Sequence, residues 1–472
     1  MKKDKSLSIL RQFTQKQLQD FLLFLRSPYF NKRSEIVHYV EYLAGFHPNY
    51  PEVCVKLEQI PTDILPSKKQ TKKELSYLKS RTFGLLKQFI SYEQIQNKPL
   101  LLDVYATLGM SAYAPSVALN TLNQVRKRWQ EMEQTDTHDL LFHYLATDIL
   151  HVQAQQDPKK LKVLLQESVD LLDEYYLVNK LIYGIEIQHR QKLGQQTTAF
   201  RNPFMDDIEQ FLLQQEELPP RTSLYFQIYL CGKYPEVDEH FDRLVRLLYQ
   251  NQHKVEASEC RMIYLTTINI CIRRIRINKE YFAPICLELY EEGIRTKIIF
   301  EHGLLSEWTY RNAIKIGLQL ERIEWTEKFI YEHNKHIAAA FQNNALYLNL
   351  AELYFTKKEF DAVLDQLAKV NTNHFIYYMS TKTVSIKTFY EVGNIDSCMS
   401  AVGSFTVYLS RLRRVSPAIR KNYQHFCQVL YQILMSNTSK KIDKVKTKLL
   451  TLNPLTERAW LHEVFQREHP RA

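Results

Sequence analysis

The sequence predicts an all-α protein, and three observations support that prediction. Apolar residues recur at helical spacing along almost the whole chain. The chain has only 11 glycines and 16 prolines among 472 residues, about half of the usual content. Doubly wound α/β folds and β-sandwiches need these residues for their turns, so both classes are disfavoured. The glycine-rich motifs of dinucleotide, P-loop and hydrolase folds are also absent from the sequence.

The first part of the chain, residues 1–97, is predicted to be an N-terminal helical module. Thr14 and Gln17 have the spacing of a capping box and open an apolar-rich helix. Four prolines mark a connector over 47–66. A long amphipathic helix is then expected over 68–94, and a proline soon after it places the boundary near 97.

The rest of the chain, residues 98–472, is predicted to be an array of helical hairpins. Its helices follow one another in pairs, each too thin to bury its own apolar face. A loop and two adjacent prolines indicate a sub-boundary near 194–220. The final helix is expected to begin after Asn453 and to cap the end of the array by burying Trp460.

A repeat is readable in the last third of the chain, where three sets of residues recur at intervals of 35. The sets are Trp325, Phe360 and Ile395; Phe329, Leu364 and Met399; and Leu318, Leu353 and Thr388. In the middle copy, Ala351 and Tyr354 on the first helix, followed by Phe360 at the start of the second, resemble a tetratricopeptide repeat. The resemblance is best over 310–405 and implies a right-handed α-solenoid. An irregular helical fold is the alternative.

The opening pattern from Phe24 to Lys32 carries a second resemblance. It is similar to the start of an uncharacterised bacterial helical family. This second resemblance does not point to any particular activity.

The sequence offers no catalytic or metal-binding constellation. His333 and His336 lie three residues apart, but zinc needs a third ligand and neither histidine belongs to an H-E-x-x-H motif. Adjacent carboxylates such as Asp206 and Asp207 point about 100° apart on a helix and form no acid/base pair. We therefore expect no enzyme activity, no cofactor, no metal and no small-molecule substrate.

The resemblance to tetratricopeptide proteins implies a groove for a protein partner, lined by the first helix of each repeat. Carried over residue by residue, it predicts these groove residues: Ala313, Gly317, Leu320, Leu348, Glu352, Phe355, Thr383, Lys387 and Tyr390. Leu348 and Glu352 stand where a carboxylate clamp of the family has lysine and asparagine, which disfavours such a clamp. A mixed apolar groove would suit an amphipathic helix or an extended peptide. Alternatively, Phe355 and Tyr390 pack between neighbouring helices.

The first functional hypothesis is therefore a non-enzymatic protein–protein interaction scaffold. The alternative is a nucleic-acid-associated helical protein, because the formal net charge is +10 and the basic residues are clustered. The candidate basic patch comprises Lys68, Lys72, Lys79, Arg273, Arg274, Arg276, Arg411, Arg413 and Arg414. Such residues can equally form solvated helix faces.

A cytoplasmic location is predicted from three features of the sequence. The basic N-terminus is followed by no secretory apolar region. The longest apolar runs are shorter than the roughly 18–20 residues that a membrane span needs. The seven cysteines are scattered, which is typical of buried thiols in a reducing compartment.

Overall fold

Helices form nearly all of the regular structure of the chain. The computed structural model describes residues 4–51, 54, 56–61, 64, 72–96, 98–132, 134–153, 158–192, 200–413 and 415–470. These residues contain 22 α-helices and no β-strand, and their β-bridges are isolated ones, such as the antiparallel bridge between Glu301 and Leu304. The all-α prediction is confirmed. None of the described helices combines the length and the apolar character needed to cross a lipid bilayer.

The chain divides into two compact units, Met1–Asn179 and Lys180–Ala472. The first contains α1 (Lys5–Leu10), α2 (Gln15–Arg26), α3 (Ser34–Ala44), α4 (Lys72–Gln96), α5 (Pro99–Met110), α6 (Pro115–Gln130), α7 (Thr137–Gln153) and most of α8 (Pro158–Lys192). The second contains the end of α8 and then α9 (Met205–Leu213), α10 (Pro220–Lys233), α11 (Asp238–Asn251), α12 (Ala257–Ile275), α13 (Lys279–Arg295), α14 (Glu307–Gln319), α15 (Ile323–His333), α16 (Ala339–Lys357), α17 (Phe360–Ala368), α18 (Phe375–Glu391), α19 (Ile395–Arg411), α20 (Pro417–Met435), α21 (Ser439–Thr451) and α22 (Arg458–Glu468).

Local capping explains where α2 begins. Thr14 Oγ1 accepts a hydrogen bond from the Gln17 amide at 3.2 Å, and Gln17 Oε1 accepts one from the Thr14 amide at 2.8 Å. This reciprocal pair is the predicted capping box, and it satisfies two amides that a helix start leaves unpaired.

The helix predicted over 68–94 is α4, and residues 68–71 lie outside the described residues.

Two core clusters hold unit 1 together. The first is built from α1 to α4 and the segment between α3 and α4, and it includes Leu25, Tyr39 and Phe89. The second is built from α5 to α8 around Leu122 and Trp129. Each cluster removes the apolar stripes of several amphipathic helices from water, which is the main stabilising contribution in such a unit.

In unit 2 most helices pack against the next helix in the chain. Alternate helices also contact one another, as α10 does with α12, α14 with α16, α16 with α18, and α20 with α22. The turn between α18 and α19 shows how residue type ends one helix and begins the next. Gly393 has a φ of 79°, in the left-handed region that glycine adopts without strain, and Asn394 then caps α19 by accepting a hydrogen bond from the Ser397 amide.

The start of the last helix differs from the prediction. Pro454 does not open it; α22 begins at Arg458, and Glu457 precedes it in the left-handed region with a φ of 54°. The reason is tertiary, because the Glu457 carboxylate bonds to α18 rather than capping its own helix. The predicted burial of Trp460 is confirmed, since this side chain is 7% exposed.

Candidate functional site

A groove with a volume of about 470 Å³ lies among α14, α16, α18 and α22 in unit 2. Phe355 and Trp460 form its aromatic walls, and ionised side chains form its floor. Lys279 and Lys358 stand at its margin, where both are exposed. The groove therefore combines an apolar wall with a charged margin, on which the exposed Glu463 accompanies the two lysines.

Five charged side chains from four segments form one network, the floor network, and all of them except Arg311 line the groove. Lys387 Nζ donates a hydrogen bond to Glu457 Oε2 at 2.7 Å. Lys315 Nζ lies 3.9 Å from Glu457 Oε1 and 3.5 Å from Glu352 Oε1. Arg311 Nη2 donates to Glu352 Oε1 at 3.3 Å. Three cations and two carboxylates thus alternate across α14, α16, α18 and the residue before α22.

The floor network keeps its members charged. Burial opposes ionisation of Glu457, but Lys387 and Lys315 outweigh it and lower the pKa of this carboxyl group to about 2. Burial also opposes the charge of Lys387, and Glu457 and Glu352 reverse that effect and raise its pKa. The pKa of Glu352 is lowered, because the attraction of Lys315 and Arg311 exceeds the effect of its burial.

The aromatic walls contact the same network. Lys387 Nζ lies 4.4 Å from the ring centroid of Phe355 and 5.8 Å from that of Trp460, within the range of cation–π attraction. Trp460 Nε1 donates to Glu391 Oε1 at 2.7 Å, and Arg467 donates to both oxygens of Glu391, each at 2.7 Å. Each wall is therefore held by a charged partner in a defined position.

Three of the nine groove residues predicted from the sequence line this groove: Glu352, Phe355 and Lys387. The other six do not line it: Ala313, Gly317, Leu320, Leu348, Thr383 and Tyr390. Most of these six are buried between helices. Tyr390 contacts the groove indirectly, since its ring lies edge-on to Trp460 with 5.6 Å between the centroids.

Gly317 serves helix packing rather than the groove. A Cβ atom there would lie 2.4 Å from Thr326 Oγ1 and 2.9 Å from the Trp325 ring, so α14 and α15 approach closely at this point. A side chain at position 317 would force the two helices apart.

Sequence reasoning missed Lys315 and Glu457 as groove residues, and it missed Arg311 as a member of the floor network. Glu457 lies 70 residues from its partner Lys387 and follows no local pattern. A signal existed for the other two, because Arg311 and Lys315 share one face of α14 at a spacing of four residues, beside the buried Ile314. Cations beside an otherwise apolar face indicate buried partners.

The residues of the predicted basic patch have different surroundings. Lys68 and Arg414 lie outside the described residues. Arg274 is 3% exposed, pairs with Asp238 and donates to the Val237 carbonyl at 2.9 Å, so its guanidinium group is part of the interior. Lys79 Nζ lies 3.5 Å from an Asp4 oxygen. The exposed members are Lys72, Arg273, Arg276, Arg411 and Arg413.

In the described part of the chain, no group of three or more histidine, cysteine or carboxylate side chains could hold a metal ion. The rings of His333 and His336 lie 6.0 Å apart, and burial lowers the pKa of His333. Comparison with protein-family models and with curated proteins gives no match.

Proposed function

We propose that the chain is a non-enzymatic interaction scaffold that holds a peptide or helix of a protein partner in the groove of unit 2. The groove itself carries this proposal. Its volume of about 470 Å³ suits a few side chains rather than a whole domain. Lys279 and Lys358 at its margin are exposed and, among the described residues, make no ion pair, so they are available to a partner.

The packing of unit 2 is consistent with a solenoid of the tetratricopeptide type, for which the resemblance implies a right-handed twist. Contacts between alternate helices place the first helices of successive pairs side by side, as the series α14, α16 and α18 does. In such arrays the first helices line one continuous face, and that face binds partners. The three predicted residues at the groove lie on α16 and α18, which belong to this series.

The charge state of the groove favours binding over catalysis. A general acid or base works best when its pKa lies near the working pH. Here the pKa values of Glu352 and Glu457 are lowered and that of Lys387 is raised, each away from neutrality. Fixed charges of this kind orient a partner and select against partners of the wrong charge.

The chemistry of the groove defines the partner segment. An aromatic or aliphatic side chain fits against Phe355 and Trp460, and an acidic side chain fits beside Lys279 or Lys358. We therefore propose a segment with an apolar anchor flanked by carboxylates, bound as a helix or an extended peptide.

Site-specific photocrosslinking tests this proposal in the native host. A photoreactive amino acid replaces Thr356, which is exposed and lines the groove. The matched control position is Asn343, which is exposed on the same helix but does not line the groove. We expect a discrete protein adduct from position 356 that is absent from position 343 and survives nuclease treatment.

Charge reversal of the groove margin then tests the identified partner with purified proteins. K279E and K358E should each weaken binding by about 3- to 10-fold, because they repel acidic side chains at the rim. K441E, an exposed change on α21 outside the groove, is the control. Equal adducts from both crosslinking positions, or equal affinities for all three variants, would overturn the proposal.

A further inference from the structure

An exposed strip of aromatic and cationic side chains runs along α4 in unit 1. Its helical members recur at intervals of four or three residues, which places them on one face. They are Lys73, Tyr77, Arg81, Gly84, Gln88 and Tyr92. At 1.5 Å per residue the strip is about 28 Å long. None of its members carries a negative charge.

The loop between α2 and α3 adds three side chains to this α4 strip. The Phe30 ring centroid lies 6.1 Å from that of Tyr92, and Tyr29 stands edge-on to Phe30 at 5.1 Å. Arg33 Cζ lies 5.3 Å from the ring centroid of Tyr77. Asn31 orders the loop, since its buried amide donates to the carbonyls of Leu25 and Arg33 at 3.0 and 2.9 Å.

The three tyrosine rings of the strip are open to solvent, unlike most large aromatics of the described residues, whereas the Phe30 ring stacks on Phe24 with 4.2 Å between the centroids. Tyr29 is 87% exposed, Tyr92 46% and Tyr77 44%. Exposed apolar surface is unfavourable in water, and contiguous patches of it mark binding sites. Arg81 Cζ also lies 5.8 Å from the Tyr77 ring, so two guanidinium groups flank this tyrosine.

The middle of the strip is left open by a glycine. Gly84 lies inside α4, and a Cβ atom added there would meet no atom within 4 Å. Glycine weakens a helix interior, and no helix packing requires it at this position. It lets a flat ligand approach the helix backbone between Arg81 and Gln88.

We propose that the α4 strip binds single-stranded nucleic acid. Bases stack on the rings of Tyr29 and Tyr92, and the phosphates pair with cations of the strip such as Arg81. The cations of the strip, Lys73, Arg81 and Arg33, outnumber the carboxylates beside them, Glu74 and Glu35, and this excess favours a polyanion over a protein segment. A duplex hides the faces of its bases, so stacking selects single strands.

This proposal differs in place and chemistry from the groove of unit 2. It also differs from the basic patch predicted from the sequence, because Lys72 and Lys79 lie on another side of α4. In the α4 strip, binding depends on bases that stack on aromatic rings and not on positive charge alone.

Fluorescence anisotropy with the full chain tests the proposal. The probes are labelled oligouridylate and oligothymidylate of about 12 nucleotides and a duplex of the same length. We expect both single strands to bind more tightly than the duplex at about 50 mM salt, and more weakly at about 200 mM. Tighter binding of oligouridylate than of oligothymidylate would identify RNA as the ligand. Equal binding would indicate that the strip accepts both RNA and single-stranded DNA.

Variants separate stacking from general charge attraction. Y29A and Y92A should each weaken single-strand binding by about 5- to 100-fold. Y113A, which removes a tyrosine of unit 1 that is 91% exposed and lies outside the strip, should leave it unchanged. G84Q fills the open middle and should weaken binding while the melting temperature stays equal or rises, because glutamine is the better helix former.

Three results would overturn the proposal. The first is no binding of either single strand at the lower salt concentration. The second is equal binding of duplex and single strands that Y29A and Y92A do not change, which would indicate charge attraction alone. The third is stronger binding of a labelled polyproline peptide that these tyrosine changes abolish, because aromatic surfaces also bind such peptides.

Discussion

At the scale of single residues, Glu457 shows how a buried charge is held in place. Its backbone φ of 54° lies in the left-handed region, which costs about 1–3 kcal/mol for a residue with a side chain. The contacts of its carboxylate with Lys387 and Lys315 offset this cost. Removing one partner of such a buried pair leaves the other charge uncompensated.

The pH dependence of stability tests the role of Glu457. Its pKa is lowered from 4.5 to about 2 in the folded chain, so its contribution is complete above about pH 4.5 and is lost as the pH falls towards 2. We expect E457Q to be less stable than the wild type at neutral pH and to lose less stability across this window. Denaturant unfolding at a series of pH values measures both effects.

The control for this comparison is E216Q, which changes an exposed carboxylate of a loop outside the floor network. It should follow the wild-type pH profile. If the free energy of unfolding of E457Q falls as steeply with pH as that of the wild type, the floor network does not derive stability from the Glu457 charge.

At the scale of elements, α22 is held by one apolar face. Trp460, Leu461, Val464 and Phe465 are all buried, and the helix packs against α20 and α21. The same face supplies the Trp460 wall of the groove. Packing of the last helix and formation of the groove are therefore parts of one arrangement.

Replacing Trp460 with alanine tests this arrangement. We expect W460A to lower the free energy of unfolding by about 3–5 kcal/mol, because it leaves a cavity and removes the hydrogen bond to Glu391. W308A is the matched control: Trp308 is 50% exposed, and its loss should cost less than about 1 kcal/mol. Guanidinium unfolding measures both values, and equal costs would refute the prediction.

At the scale of the whole molecule, the seven cysteines belong to the interior. All are free thiols and all are buried. Burial raises the pKa of Cys231 and of Cys427 to about 12, which suppresses the reactive thiolate at neutral pH. The sequence-based interpretation of these residues as small buried apolar side chains is thus consistent with their surroundings.

Thiol titration with a chromogenic disulfide reagent tests this burial across both units. We expect almost no rapid reaction of the native chain and reaction of all seven thiols after denaturation. S410C, which adds a cysteine at an exposed position of α19, should contribute one fast thiol and serves as the control. Rapid reaction of two or more thiols in the native wild type would contradict the predicted protection.

The sequence by itself determined the all-α class and the local signals that begin and end helices. The capping box of Thr14 and Gln17 could be predicted, because helix caps depend on neighbouring residues. The buried apolar positions around Trp460 followed from helical periodicity for the same reason. The solenoid and its partners stay predictions.

Only the tertiary structure decided which charged residues meet. Lys387 and Glu457 lie 70 residues apart, and their contact depends on how α18 and the start of α22 are placed. Gly317, predicted to line the groove, instead brings α14 and α15 together. Helix packing angles are set by many side chains at once, so no local pattern in the sequence specifies such contacts.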